Sequence, residues 1–231
     1  MKVISNDKLI KRNGKIGNIS SLVSIVILGI GMYFSFTDKD GSYLPYTFGA
    51  LIIGFLLFQV GNYYMSKWGK SPRPDELLTS ALKGMDDKYT LYHYATPVSH
   101  LLIGPAGVIC LVPMNQAGTI IYDPDKKRWR QKGGSFFLRT FGGENIGRPD
   151  NEIKYTVEDA NKFLTKNEIK IAPFEPEPLL VFTNPKTTLE AEEYPYTAML
   201  APKLKEYLRK KAKEKPFSLD TVKEIETKIS G

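Results

Sequence analysis

The chain has 231 residues and a formal net charge of +7, from 32 Lys and Arg against 25 Asp and Glu. That length suits one ordinary domain with an appendage. The single cysteine, Cys110, excludes an internal disulfide framework and a cysteine-cluster metal site; inside an apolar run, it reads as a small core residue.

Residues 1–18 are polar and basic, with Lys2, Lys8, Lys11, Arg12 and Lys15 against Asp7. They are expected to form a cytoplasmic tail with no packed structure. Residues 19–36 (ISSLVSIVILGIGMYFSF) and 46–65 (YTFGALIIGFLLFQVGNYYM) carry no charge. Each approaches the roughly 20 apolar residues that cross a bilayer. Asp38, Lys39, Asp40 and Gly41 mark a turn between them. Residues 19–65 therefore read as a two-helix transmembrane hairpin. A cleaved signal peptide fits poorly, because no small-x-small site follows and a second span does. A soluble helical hairpin is disfavoured because both segments are apolar around their whole circumference.

Aromatic residues gather at the ends of these segments: Tyr33, Phe34, Phe36, Tyr43 and Tyr46 at one, Tyr63, Tyr64 and Trp68 at the other. That pattern matches interfacial belts. Basic residues flank the hairpin on its terminal side, with Lys67, Lys70 and Arg73 following it, whereas the turn has Lys39 alone. The positive-inside rule then places the hairpin in the inner (plasma) membrane with both termini cytoplasmic. Gly29, Gly31, Gly49, Gly54 and Gly61, with Ser20 and Ser24, offer close helix approach. No ionisable Asp, Glu, Lys or Arg lies in either span, so anchoring is favoured over an ion pathway.

Residues 66–74 form a short basic linker with two prolines. Residues 75–83 (DELLTSALK) read as an amphipathic helix stopped by Gly84, and 89–95 as a strand of alternating character. Residues 98–120 (VSHLLIGPAGVICLVPMNQAGTI) organise what surrounds them. Two apolar runs, 101–103 and 108–114, flank Gly104-Pro105-Ala106-Gly107. This is a tight turn between buried antiparallel strands. With Pro105 and Ala106 central, Gly104 faces Gly107 and Ser99 faces Val112. Alternation then gathers Ser99, Val112 and Met114 on one face. Further strands are read at 119–122 and around Trp129, with Asp123-Pro124-Asp125 turning between them. Residues 152–164 form a helix burying Ile153, Val157, Ala160, Phe163 and Leu164. A buried strand follows at 179–182, then a basic helix at 201–215 and a short last helix at 218–229.

The central stretch resembles the core of the nuclease-related domain (NERD) family, part of the PD-(D/E)XK nuclease-like fold. That family's pattern is Asp-His, apolar residues, Gly-Pro-x-Gly-Val, an apolar run, Glu-x-Lys-Asn and Gly-x-Ile. Here Gly104-Pro105-Ala106-Gly107-Val108 and Gly118-Thr119-Ile120 match, while Ser99-His100 and Val112-Pro113-Met114-Asn115 stand at the other two positions. The resemblance covers residues 75–213, with this hairpin its sharp motif. It implies an α/β domain at 75–215, a restriction-endonuclease-like mixed sheet with flanking helices, preceded by the transmembrane hairpin. Residues 216–231 would then be a C-terminal short helix. It also implies Mg²⁺-dependent phosphodiester cleavage, with the ion held by two carboxylates and a lysine placing the nucleophile. Ser99, Val112 and Met114 supply neither the carboxylates nor the cation. Glu76 stands either as the one remnant of the family's carboxylates, on its acidic helix, or as a solvated first-turn acid. The expectation is therefore no catalytic residues, no metal and no cofactor.

Other constellations point to no chemistry. His93 and His100 lack a Cys or His partner at metal spacing. Ser99 and His100 are adjacent on a strand and so face opposite ways. Gly133-Gly134 and Gly142-Gly143, in a loop over 133–148, lack the flanks of a phosphate-binding loop. Two basic clusters remain: Lys126, Lys127, Arg128, Arg130 and Lys132 around Trp129, and a helical set including Arg209, Lys210 and Lys211. Either is a solvated face or a phosphate contact, to anionic lipid or nucleic acid. The functional expectation is a membrane-anchored, cytoplasm-facing, catalytically inactive nuclease-like domain acting in binding or complex assembly. Its partners would be membrane lipid and an unidentified protein, with nucleic acid as the alternative and no small-molecule substrate. The competing expectations are a divergent nuclease whose acids have migrated, using Glu76, Asp86 or Asp87, and a structural subunit of a membrane complex.

Overall fold

The chain folds as two compact units, Asp7–Arg73 and the combination of Met1–Asn6 with Pro74–Gly231. The structure, a computed structural model, describes residues 1–140, 144–169, 171, 174–190, 194–214 and 216–230.

The helical unit contains α1 (Asp7–Thr37), α2 (Leu44–Tyr64) and a closing π-helical turn, Met65–Gly69. Both helices are long and apolar enough to cross a membrane. The helix α1 begins at Asp7, so the basic stretch expected to be an unpacked tail is largely helical. Asp7 sits in the first turn, where a negative charge complements the helix dipole, and the Lys, Arg, Leu and Ile that follow are compatible with helix.

Small residues set the contact between α1 and α2. A Cβ on Gly54 would lie 2.6 Å from a side-chain carbon of Leu28, on Gly31 2.8 Å from Cβ of Ala50, and on Gly61 2.8 Å from the backbone N of Ser21. Buried Ser24 donates to the carbonyl of Ser21 at 2.7 Å. Gly29 and Gly49, also expected at the contact, have nothing within 4 Å of such a Cβ and so face away from it. Gly61→Leu is therefore expected to force the helices apart and cost about 1–3 kcal/mol, as overpacking does. In detergent its unfolding midpoint should fall, while Gly49→Leu leaves it unchanged; equal midpoints would refute this packing.

The α/β unit is built on a six-stranded mixed sheet, in the order β1 (Lys2–Ser5), β2 (Thr90–His93), β3 (His100–Gly104), β4 (Gly107–Met114), β7 (Glu177–Phe182), β9 (Ala198–Leu200). A second sheet runs β6 (Arg128–Lys132), β5 (Gly118–Asp123), β8 (Thr187–Glu190). The expected hairpin register is present: Gly104 pairs with Gly107, Ile103 with Val108, Leu102 with Ile109 and Leu101 with Cys110. Strand β4 alternates between two apolar layers. Ile109 and Leu111 join Leu78 and Leu82 of α3 (Pro74–Ala81) and its end, and Leu204 and Leu208 of α6 (Leu204–Glu214). Val108 and Cys110 join Ala160 and Leu164 of α5 (Pro149–Lys166), and Val222 and Ile225 of α7 (Leu219–Ser230). Helices cover both faces, which is why β3 and β4 read as continuous apolar runs.

Several elements depart from the sequence reading. Residues 2–5 form an edge strand of the main sheet, parallel to β2. The backbone carries this pairing, with Lys2 N–H donating to Tyr89 O and Asn6 N–H to His93 O, both at 2.9 Å. The last helix, α7, lies close to the expected 218–229, and its Val222 and Ile225, with the preceding Phe217, are core residues. Strand β2 is buried at all four positions rather than alternating, since apolar layers cover both its faces, Leu91 on one and Tyr92 on the other. A short helix, α4 (Phe136–Thr140), interrupts the expected loop. Gly142, Gly143 and Lys215 lie outside the described residues.

Candidate functional site

The end of β4 is where the resemblance implies acid and lysine. Val112 is 5% exposed and Met114 3%. They pack with Ile153 of α5, Leu180 and Phe182 of β7, and Ile120 and Trp129 of the second sheet. The neighbouring backbone is tied down as well: Thr183 N–H donates to Met114 O at 2.8 Å, and Asn184 Nδ2 to Asn115 O at 3.3 Å. A strand that turns this face toward α5 must place apolar groups there, because an unpaired charge in such a layer is costly. Ser99 is not part of this wall. It lies one residue before β3 and is exposed. Only Val112 and Met114 of the three are brought together.

Glu76 is elsewhere, on α3, which packs on the opposite layer of the sheet. With Ser5, Asp75, Thr79, Lys83 and His93 it lines a cleft of about 700 Å³ where α3 meets β1 and β2. Behind it lies a polar relay not legible in the sequence. Thr79 Oγ1 is 2.9 Å from His93 Nε2, and His93 Nδ1 is 2.8 Å from His100 Nδ1. An N···N hydrogen bond needs one N–H and one lone pair, so one ring donates from Nδ1 and the other accepts. The two imidazoles are 1% and 3% exposed, and pairing satisfies them without solvent. They meet because β2 and β3 place His93 directly opposite His100. Among the described residues no group of three or more His, Cys, Asp or Glu side chains is placed to hold a metal ion. Asp86 and Asp87, the other proposed migrated acids, are exposed beyond α3.

Burial pushes the Cys110 thiol up to about 12, so it stays a thiol and is unreactive. Tyr92 is also pushed up to about 12, by burial first and then by the charge of Glu226.

The two basic clusters differ in kind. On α6, Lys205 Nζ donates to Lys83 O at 3.0 Å and Arg209 to Gly84 O at 3.4 Å, so both close the end of the α3 segment. Lys211 is ion-paired with Glu177, and Lys210 lies 3.8 Å from Glu214. Strand β6 is different. Its residues alternate, with Arg128, Arg130 and Lys132 exposed and Trp129 and Gln131 buried. Trp129 stacks on Tyr194 at 5.0 Å and 7°, and its Nε1 donates to Asp150 at 3.2 Å. The aromatic within the basic run is thus a core residue, withdrawn from any ligand. Arg130 pairs with Asp123 at 3.1 Å. Lys127, in the turn before β6, has φ +45°, a conformation costing a non-glycine residue about 1–2 kcal/mol.

Comparison with family models, with curated proteins and with solved structures finds no match.

Proposed function

We propose that this chain is a membrane-anchored, cytoplasm-facing protein of restriction-endonuclease-like, NERD-like fold that has lost phosphodiester chemistry and works by binding or complex assembly. The observation that carries the reading is the buried apolar wall at Val112 and Met114. Neither side chain offers a hard oxygen or a cation, and Mg²⁺ sheds its waters reluctantly. The connectivity supports the fold assignment: helix α3, the antiparallel run β2-β3-β4, helix α5, then β7 parallel to β4. The orientation has a second support. The α/β unit takes β1 from before the hairpin and α3 from after it. A hairpin that crosses twice returns the chain to the side it left, and the basic flanks make that side the cytoplasm.

The test is cleavage of DNA and RNA by the full chain in mild detergent with Mg²⁺ or Mn²⁺. No cleavage is expected. Metal-dependent cleavage abolished by Glu76→Ala would overturn the reading in favour of a migrated acidic site. Orientation is tested in intact cells with an impermeant thiol reagent. Ser42→Cys, in the turn between α1 and α2, should react and Lys213→Cys on α6 should not. Cys110 adds no background, because its thiol is buried and protonated. The opposite labelling pattern would invert the topology.

A further inference from the structure

Four cations on strand β6 and the turn before it are in a different state from Lys205, Arg209 and Lys211 of α6. Lys126, Lys127, Arg128 and Lys132 are exposed, and among the described residues their side chains have no hydrogen-bond or ion-pair partner. The α6 cations Lys205, Arg209 and Lys211 are committed to carbonyls and to Glu177. Strand β6 is the edge of its sheet, so no neighbouring strand covers this row. The acids nearby are Asp123, which holds Arg130, Asp125 in the turn, and Asp150, which accepts from Trp129 Nε1. Lys127 keeps a lysine where the left-handed backbone favours glycine.

We infer that this ridge is a docking surface for the phosphate headgroups of an anionic bilayer. The inference rests on the membrane-anchored reading. Two features favour lipid over nucleic acid. Trp129, the one aromatic in the run, is turned into the core and 2% exposed, so the ridge carries no stacking platform of the kind single-stranded nucleic acid uses. The ridge offers charge without base-reading geometry, which suits a surface of headgroups. A domain joined at both ends of a membrane hairpin also meets headgroups at high effective concentration.

The experiment uses the full chain in lipid nanodiscs, one set of phosphatidylcholine alone and one containing phosphatidylglycerol. Lysine acetylation rates are read by mass spectrometry. In anionic discs at low salt, Lys126, Lys127 and Lys132 should react about fivefold more slowly, the occupancy one such contact supports. High salt should restore the neutral-disc rate, because the interaction is screened. Lys210 and Lys213 on α6 should be unchanged. Lys126→Glu with Arg128→Glu should abolish the protection of Lys132. Equal rates in both discs overturn the inference, as does protection spread equally over α6. Duplex DNA protecting the ridge lysines in neutral discs, where anionic lipid does not, overturns it in favour of nucleic acid. A chain that enters neither disc overturns the anchor reading itself; a chain that enters both without protection overturns this surface alone.

Discussion

Val112→Glu and Met114→Lys, the changes that would install the acid and lysine of the family this stretch resembles, are expected to unfold the α/β unit rather than create a nuclease. Both positions lie in an apolar layer with Ile153, Leu180 and Phe182. An uncompensated buried charge costs about 3–5 kcal/mol, a large part of the 5–15 kcal/mol by which a domain is stable. For a domain of this size that corresponds to a fall in midpoint of about 6–20 °C per change. The two charges introduced together would offset part of this cost, because they are two residues apart on one face of β4. Ser99→Asp should be nearly silent, since Ser99 is exposed. Trp129 reports the transition from inside the same cluster, in a Trp68→Phe background that removes the other tryptophan. Wild-type midpoints for both single variants would mean that the wall is open to solvent. The reading of lost catalysis would then need another basis.

A fragment starting at Pro74 is the second case of large effect. It looks like the natural soluble version of the α/β unit, yet it lacks β1. Removing Lys2–Ser5 leaves the whole outer edge of β2 without a partner. It also withdraws Ile4 and Met1, which pack against the two layers of the sheet from either side. An exposed edge carrying fully buried residues such as Leu91 and Tyr92 is a template for pairing between chains. The fragment is expected to self-associate, seen as a large species by light scattering. A version in which residues 1–6 are joined to Pro74 through a flexible Gly/Ser linker should remain monomeric. If the shorter fragment is monomeric with the same midpoint, β1 is dispensable. The topological argument for both hairpin ends lying on one side would then lose its support.

The parts of the fold legible in the sequence were those encoded over short distances. Gly104-Pro105-Ala106-Gly107 specifies its own turn chemistry, and counting outward from it yields the observed register of β3 and β4. Of the five residues that the helical period of 152–164 marked as buried, Ile153, Ala160 and Leu164 are, and Val157 and Phe163 are half-buried. The apolar segments marked α1 and α2, though their glycines did not reveal which ones meet, because Gly49 and Gly54 look alike until the helices are docked. Edge strand β1 was invisible for a different reason. Lys2, Val3, Ile4 and Ser5 are mostly exposed, and their pairing runs through backbone groups common to every residue.

The candidate site divides in the same way. Composition and spacing were enough to show that Ser99, Val112 and Met114 carry neither two carboxylates nor a lysine, because the atoms a side chain can offer a metal follow from its type. Tertiary structure decided where each one lies: Val112 and Met114 in a closed apolar layer, Ser99 outside it, Glu76 on the other side of the sheet. It also decided that His93 meets His100, that Trp129 faces inward, and that Lys205, Arg209 and Lys211 of α6 are engaged while Lys126, Lys127, Arg128 and Lys132 around β6 are not. Each of these depends on which distant segments the sheet brings together. Such pairing is selected by the burial of whole faces against one another, a property of the assembled layers that no single stretch of residues contains.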